Sequence, residues 1–320
     1  WKRRSVERTL RDPEINEAIK NKIRLVLAAK EFARSTVGLS PGKNYSSFVW
    51  LEREAVSWLV IASPKDRIEA KKWSFLFVGE FPYKGFFSLE KAHHEKKTLE
   101  SQAQDVWIRP VEAFSYLGWL SDPIFSSFLK RSEADLVELI IHESVHASVF
   151  IPNHVDFNEQ FASFVALEAL PLFFQQNPQL YPQDIAALGA RIQESKKQEK
   201  QFYEFMIAKK KELDLWYADQ RERLTSPEEL ESGRALEFQR VQKEFEALNL
   251  RMGHWLLSSP LNNAIFAAFS TYSENLQDFA RVFDLCERSW SRFLLQVKIL
   301  ENSKDPWAGL RNFKTCVQSG

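Results

Sequence analysis

The chemistry in this chain is concentrated in five residues, His142-Glu143-Ser144-Val145-His146. On an α-helix with 3.6 residues per turn, side chains four apart lie one turn on and nearly above each other, so both imidazoles share a face. Two imidazoles so placed can hold one zinc ion. Glu143 falls about 100° round from His142, close enough to work on a water at the metal without being a ligand. Metal-assisted hydrolysis needs this donor pattern. A core helix with two incidental histidines is the competing reading, and a third ligand decides between them. The candidate is Glu159, in the string FNEQFASF at residues 157–164. Twelve residues separate it from His146, room for a turn carrying Pro152, Asn153 and Asp156 before a second helix brings a carboxylate back over the first. Two nitrogens and one oxygen would leave a fourth zinc position open for water.

The elements that must hold these groups follow from periodicity and capping. Ser132 is placed to cap the motif helix, with Asp135 three residues on, a capping box with Asp in place of Glu. Leu136, Leu139, Ile140, Val145 and Val149 recur at helical spacing and bury one side. The return helix is expected to run to about Ala169 and to end at Pro171 and Asn177-Pro178. Upstream, residues 6–10 and then Ile15, Ile19, Ile23, Val26, Leu27 and Phe32 predict helix up to Gly38, with Asp12 capping the second piece and Pro13 in its first turn. A short helix is expected over 45–54.

Between 55 and 114 strand signals take over, in VSWLVIA, WSFLFVGEF and DVWIRPVEAF, punctuated by Gly79, Pro82 and Gly85. His93 and His94 lie in the polar run KAHHEKK and are expected to face solvent. Residues 116–123 are expected to form a fixed turn that either walls the pocket or, the plainer reading, connects elements, leading to a short helix at 125–130. The charged helical pattern of 184–250 breaks at Ser226-Pro227-Glu228-Glu229, an N-cap with Pro at N1 and Glu at N3, which predicts an antiparallel helical hairpin. From Leu256 onward helices run through Phe279, Phe283, Trp290 and Phe293. The expected organisation is N-terminal helices (1–54), a catalytic core with a small sheet and the motif helix (55–183), the hairpin (184–250) and C-terminal helices completing the core (251–320). That is an α+β chain, predominantly helical.

The string FNEQFASF resembles the N-E-x-F-A segment of the gluzincin aminopeptidases, in which the Glu is the third zinc ligand; the spacer from HExxH is shorter here. Almost the whole chain resembles the bacterial Aminopep family of predicted aminopeptidases. The matching pieces are EFARSTVGL (31–39), WLVIASP (58–64), FVGEFPYKGFF (77–87), YLGWLSDP (116–123), HESVH, FNEQFA, LNNA (261–264) and STY (270–272). The resemblance implies a zincin-like zinc metallopeptidase with Zn2+ on His142, His146 and Glu159, Glu143 as general base, and a peptide as substrate. In such enzymes a small sheet packs beside the metal helix, and its edge strand pairs with an extended substrate. Residues 81–87, with Tyr83 and Gly85, are the candidate rim; an ordinary hairpin is the plainer reading. A tyrosine donor to the developing oxyanion is also expected. Tyr272, in the shared STY, is the first candidate and Tyr83 the second. Asn262 and Asn263 either hold substrate backbone or cap the helix that follows. Glu80 and Glu112 are candidates for the acid that would hold a substrate's free ammonium, and Glu168 for a carboxylate behind an imidazole.

Lys plus Arg equals Asp plus Glu, 43 against 43, so the charge balance offers nothing to a polyanion and no nucleic-acid partner is expected. Aromatic residues at 13%, ten of them Trp, indicate a packed globule of one or two domains with most rings in the core. Cys286 and Cys316 are too few for a cysteine-built zinc cluster, and their spacing leaves open whether they pair. No hydrophobic run is long enough to cross a bilayer. The chain starts at Trp1 and not at Met, and relatives look exported or lipid-anchored. A segment removed upstream, anchoring through it, and a place in the bacterial cell envelope or periplasm are therefore expected. A reading from another class is a scaffold that docks a partner through the hairpin and carries a structural or inactive metal site. The intact Glu143 argues against it, because a structural site has no use for a general base. Nothing in the pattern specifies an oligomeric state.

Overall fold

The Ser132 hydroxyl accepts a hydrogen bond from the Asp135 N–H at 3.1 Å and starts the motif helix, Glu133–His146. The computed structural model describes residues 3–51, 55–75, 79–111, 122–180, 185–223, 225–269 and 276–317. Among the described residues 62% are helical and the strands come in small sheets, so the α+β, mainly helical class holds. Contacts divide the chain into two units. One is Trp1–Val56, Val111–Ile185 and Glu274–Gly320; the other is Ser57–Pro110 and Ala186–Ser273. This division cuts across the expected segments, because the strand Ser57–Pro64 packs on the helix Asn263–Ala268 while the motif helix packs on N-terminal helix.

In the first unit, helices Val6–Arg11 and Glu17–Phe32 flank the Asp12-Pro13 turn. Asn16 caps the second helix, its Oδ1 accepting from Ala18 N–H at 2.7 Å, and not Asp12 as expected. Asp12 instead closes the first helix and accepts from Glu14 N–H at 3.0 Å, which uses up its capping oxygen two residues too early. The helix expected over 45–54 is replaced by the strand Ser47–Val49, paired antiparallel with Arg3–Ser5 and parallel with Ile124–Phe125. Phe48 and Val49 are both buried there, as suits an aromatic and a β-branched residue in a central strand.

The return helix, Val155–Gln176, runs straight past Pro171. Leu170, Phe173 and Phe174 are fully buried around that position. Burial of such side chains contributes roughly 1.5–3 kcal/mol each, enough to offset the roughly 3 kcal/mol cost of an interior proline. On the same helix Phe157, Phe161 and Phe164 meet Phe279, Phe293 and Phe283 at ring separations of 5.1, 5.8 and 5.9 Å. These aromatic residues fill core.

In the second unit the strands Lys84–Phe86, Ser57–Pro64 and Gln104–Val111 form one sheet in that order. A helix that periodicity missed, Leu89–Glu100, follows; Ser88 caps it and His93 and His94 are exposed on it. The hairpin is Ile185–Glu222 and Pro227–Ala247. At its second arm Ser226 and Glu229 make both bonds of a capping box. Among the described residues no helix is long and apolar enough to cross a membrane.

Cys286 and Cys316 form a disulfide in the first unit across a sequence separation of 30. A loop of that size restricts the unfolded chain by about 3–4 kcal/mol in the entropy model. Replacing both cysteines by serine is expected to lower unfolding stability by about that amount, read by urea denaturation of the oxidised parent against the variant.

Candidate metal centre

His142 and His146 occupy successive turns of the motif helix, and their rings lie edge to face with centroids 4.7 Å apart. Their Nε2 atoms are 3.0 Å from each other. Glu159, one turn into the return helix, brings Oε2 to 3.3 Å from His142 Nε2 and Oε1 to 3.5 Å from His146 Nε2. The three side chains thus form a group whose ligand-capable atoms converge. Ligands at zinc's usual 2.0–2.1 Å on a tetrahedron stand about 3.3 Å apart, so this triangle fits a small divalent ion. His146 forms the floor with 7% of its side chain exposed, His142 has 20% and Glu159 56%, which leaves the centre open on the Glu159 side.

The electrostatics favour positive charge here. Burial acts to lower the His146 pKa, but the hydrogen bond and charge of Glu159, with Glu143 behind, outweigh it and hold the imidazole above its ordinary value. Burial acts to raise the Glu159 carboxyl, and hydrogen bonds from both imidazoles overcome that and keep it well below the usual carboxylate range. Protons and a divalent ion would compete for the same atoms. Glu143 is half-buried, and its Oε2 is out of water with no hydrogen-bond partner among the described residues. A buried acceptor left unpaired costs about 1–3 kcal/mol.

Asn158, which the sequence reading passed over, fixes the register of Glu159. Its Oδ1 accepts from Ile151 N–H at 2.9 Å and its Nδ2 donates to Ile151 O at 2.8 Å, both buried. This closes the turn 151–158 so that the next residue, Glu159, faces the histidines. A second residue without a sequence signal is Tyr45, 1% exposed in the same unit. Burial pushes its phenol well above the ordinary value, and the nearby charges of Glu143 and Asp122 add to the rise.

Other expected residues have different employment. Asn263 is fully buried in the second unit; its side-chain amide donates to Pro64 O at 2.9 Å and its Oδ1 accepts from Tyr217 OH at 2.7 Å. Its N–H donates to Asp105 Oδ2 at 2.9 Å, and Arg234 pairs with that same carboxylate. Asn262 caps the helix Asn263–Ala268, accepting from Ile265 N–H at 3.2 Å. Of the two alternatives the capping one holds for Asn262, and the polar atoms of both asparagines are engaged by backbone and core. Tyr83 is half-buried against Phe81 at 5.6 Å, and Gly85 pairs with Leu59 in an edge strand; both belong to the second unit. Glu168 pairs with Arg288 and not with an imidazole. Glu80 is exposed beside Ser74 and Lys72. Tyr272 and Glu112 lie outside the described residues, as do residues 116–121 of the expected turn.

Fold and site together define a mainly helical α+β protein with a His–His–Glu cluster spread over two packed helices. Residues 1–307 match the Aminopep family, described as "Putative aminopeptidase", and the chain belongs to that family. No curated protein matches the chain, and no solved structure does.

Removing the Asn158 amide should leave Ile151 N–H unpaired, leave Ile151 O with only the 3.3 Å bond from His154 N–H, and loosen Glu159. Asn158→Ala is expected to cost about 1–3 kcal/mol in urea unfolding and to weaken Zn2+ uptake about 10–100-fold against a chromophoric chelator.

Proposed function

We propose that the protein is a zinc-dependent aminopeptidase of the zincin-like, gluzincin type. The observation that carries this reading is the triangle of His142, His146 and Glu159 atoms, with edges of 3.0, 3.3 and 3.5 Å, next to the unpartnered Oε2 of Glu143. A bound zinc ion would supply Lewis-acid polarisation of the scissile carbonyl and bring the pKa of water toward neutrality. The two histidines and Glu159 would hold that ion; Glu159 also offsets its charge. Glu143 Oε2 takes a proton from the attacking water as its oxygen bonds to the carbonyl carbon. The same carboxyl then gives the proton to the amine nitrogen as the C–N bond breaks. A scaffold role would leave the orphaned Glu143 oxygen without a purpose.

The Cys286–Cys316 disulfide supports a place in an oxidising compartment such as the bacterial envelope or periplasm, since such bridges are rare in reducing cytosol.

Glu143→Gln keeps the shape of the side chain and removes its basicity. The variant is expected to hold about one zinc per chain by elemental analysis and to lose at least about 100-fold in kcat on any peptide the parent cleaves, in line with the usual contribution of a general base. An active variant would exclude this role. A free amino terminus is what an aminopeptidase must recognise, so N-acetylation of a cleaved peptide is expected to abolish turnover. Equal cleavage of blocked and free peptides, followed by mass spectrometry, would identify an endopeptidase instead.

A further inference from the structure

The return helix starts without the usual support at the end that carries Glu159. Its N-cap is His154, and among the described residues the His154 side chain makes no capping hydrogen bond. Helix ends fray where no side chain closes the first turn, and Glu159 lies only four residues past Val155, the first of the helix. A frayed turn would carry the carboxylate away from the two histidines.

Trp307 holds this turn from outside the helix. Its indole Nε1–H donates to Asp156 Oδ2 at 2.8 Å, while its ring lies edge to face on Phe157 with centroids 4.9 Å apart. Two adjacent residues are thus gripped at once, one by a directional bond and one by packing. They project about 100° apart round the helix, so the pair of contacts resists rotation as well as lifting. Asp156 stands three residues before Glu159, which makes them neighbours on the helix surface. Whatever fixes the first carboxylate steadies the second.

Trp307 is itself anchored. It stands on the helix Pro306–Asn312, which Asp305 caps by accepting from Ala308 N–H at 2.9 Å. Arg281 binds the other end of that helix, donating to Leu310 O at 2.7 Å and to Phe313 O at 2.8 Å, and the Cys286–Cys316 disulfide ties the chain just beyond. Arg281 belongs to the helix Leu276–Leu285, whose Phe279 meets both Trp307 at 5.5 Å and Phe157 at 5.1 Å. A ring that only packed would be served by Phe; an indole N–H set on a carboxylate adds direction to the packing.

We propose that Trp307 is a positioning residue for the metal centre: its indole N–H, bonded to Asp156, holds the first turn of the return helix so that Glu159 stays over His142 and His146. The inference rests on the metal-centre part of the peptidase reading and not on turnover.

Three substitutions test it. Trp307→Phe keeps a ring and removes the donor, Asp156→Ala removes the acceptor, and Asp156→Asn keeps an oxygen that can accept. Zn2+ affinity is measured by competition with a chromophoric chelator, on protein shown to be folded by circular dichroism. Trp307→Phe and Asp156→Ala are each expected to weaken Zn2+ binding about tenfold, the two together no more than either alone, and Asp156→Asn to stay within about twofold of the parent. General loosening of the fold does not produce that pattern. Should Trp307→Phe fail to fold, the two Asp156 variants carry the same test. Unchanged affinity in Trp307→Phe and Asp156→Ala, or an equal loss in Asp156→Asn, overturns the positioning role and leaves the zinc site standing. A parent that takes up no Zn2+ overturns the metal centre and this inference with it. The expected pattern in a parent that cleaves no peptide supports the positioning role and overturns the peptidase reading.

Discussion

The rotation of the return helix about its own axis is set by aromatic packing, and the candidate centre depends on that rotation. Phe157, Phe161 and Phe164 are buried along one stripe against the rings of the C-terminal helices. Glu159 lies about 200° round the helix from Phe157, on the opposite face, which the packing turns toward the motif helix. A slip of one residue would swing the carboxylate by about 100° and carry it away from both imidazoles. Asn158 fixes the other coordinate, position along the axis, by clasping Ile151 at the end of the connecting turn. Hydrophobic burial thus chooses the face, and two buried hydrogen bonds choose the register.

The two units carry polar clusters that differ in one telling respect. In the second unit Asp105, Arg234, Tyr217 and Asn263 form a closed ring in which each member has its partner inside the protein. Burial pushes the Tyr217 phenol up to about 12 against the lowering pull of Arg234 and Asn263, with the Asp105 charge adding to the rise, so it stays a neutral link in that ring. Such a fully satisfied network specifies a core. In the first unit two imidazoles and two carboxylates gather with one carboxylate oxygen left over. That unpaired buried oxygen sets this cluster apart from the closed ring of the second unit.

Features governed by local rules were legible in the amino-acid pattern. The Ser132 cap, the 3.6-residue placement of the two histidines and the capping box at Ser226 each depend on neighbours a few residues away. Glu159 was also within reach, because a carboxylate in an amphipathic segment a short turn downstream has few other ways to return. What was hidden depends on distant partners. Ser47–Val49 is a strand because Arg3–Ser5 and Ile124–Phe125 flank it, and helix continues through Pro171 because buried rings on both sides hold it. Asn262 is the cap that one of its two sequence readings offered, while the place of Asn263 as a core link depends on Tyr217 and Asp105 far along the chain. Tyr45 has no sequence signal, since its backbone strain and its burial are imposed by residues as far off as Asp122.

The strand Lys84–Phe86 stands at the margin of its sheet, three residues long, with the Lys84 ammonium held by Glu95. At about 3.3 Å per residue such a margin offers roughly 10 Å of ladder, and its charged side chain discourages a second sheet from adding to it. Any extended chain that docks along it is therefore gripped through only one or two peptide units. A rail that short would act as a ruler, meeting one or two peptide units of an extended chain and nothing further along it.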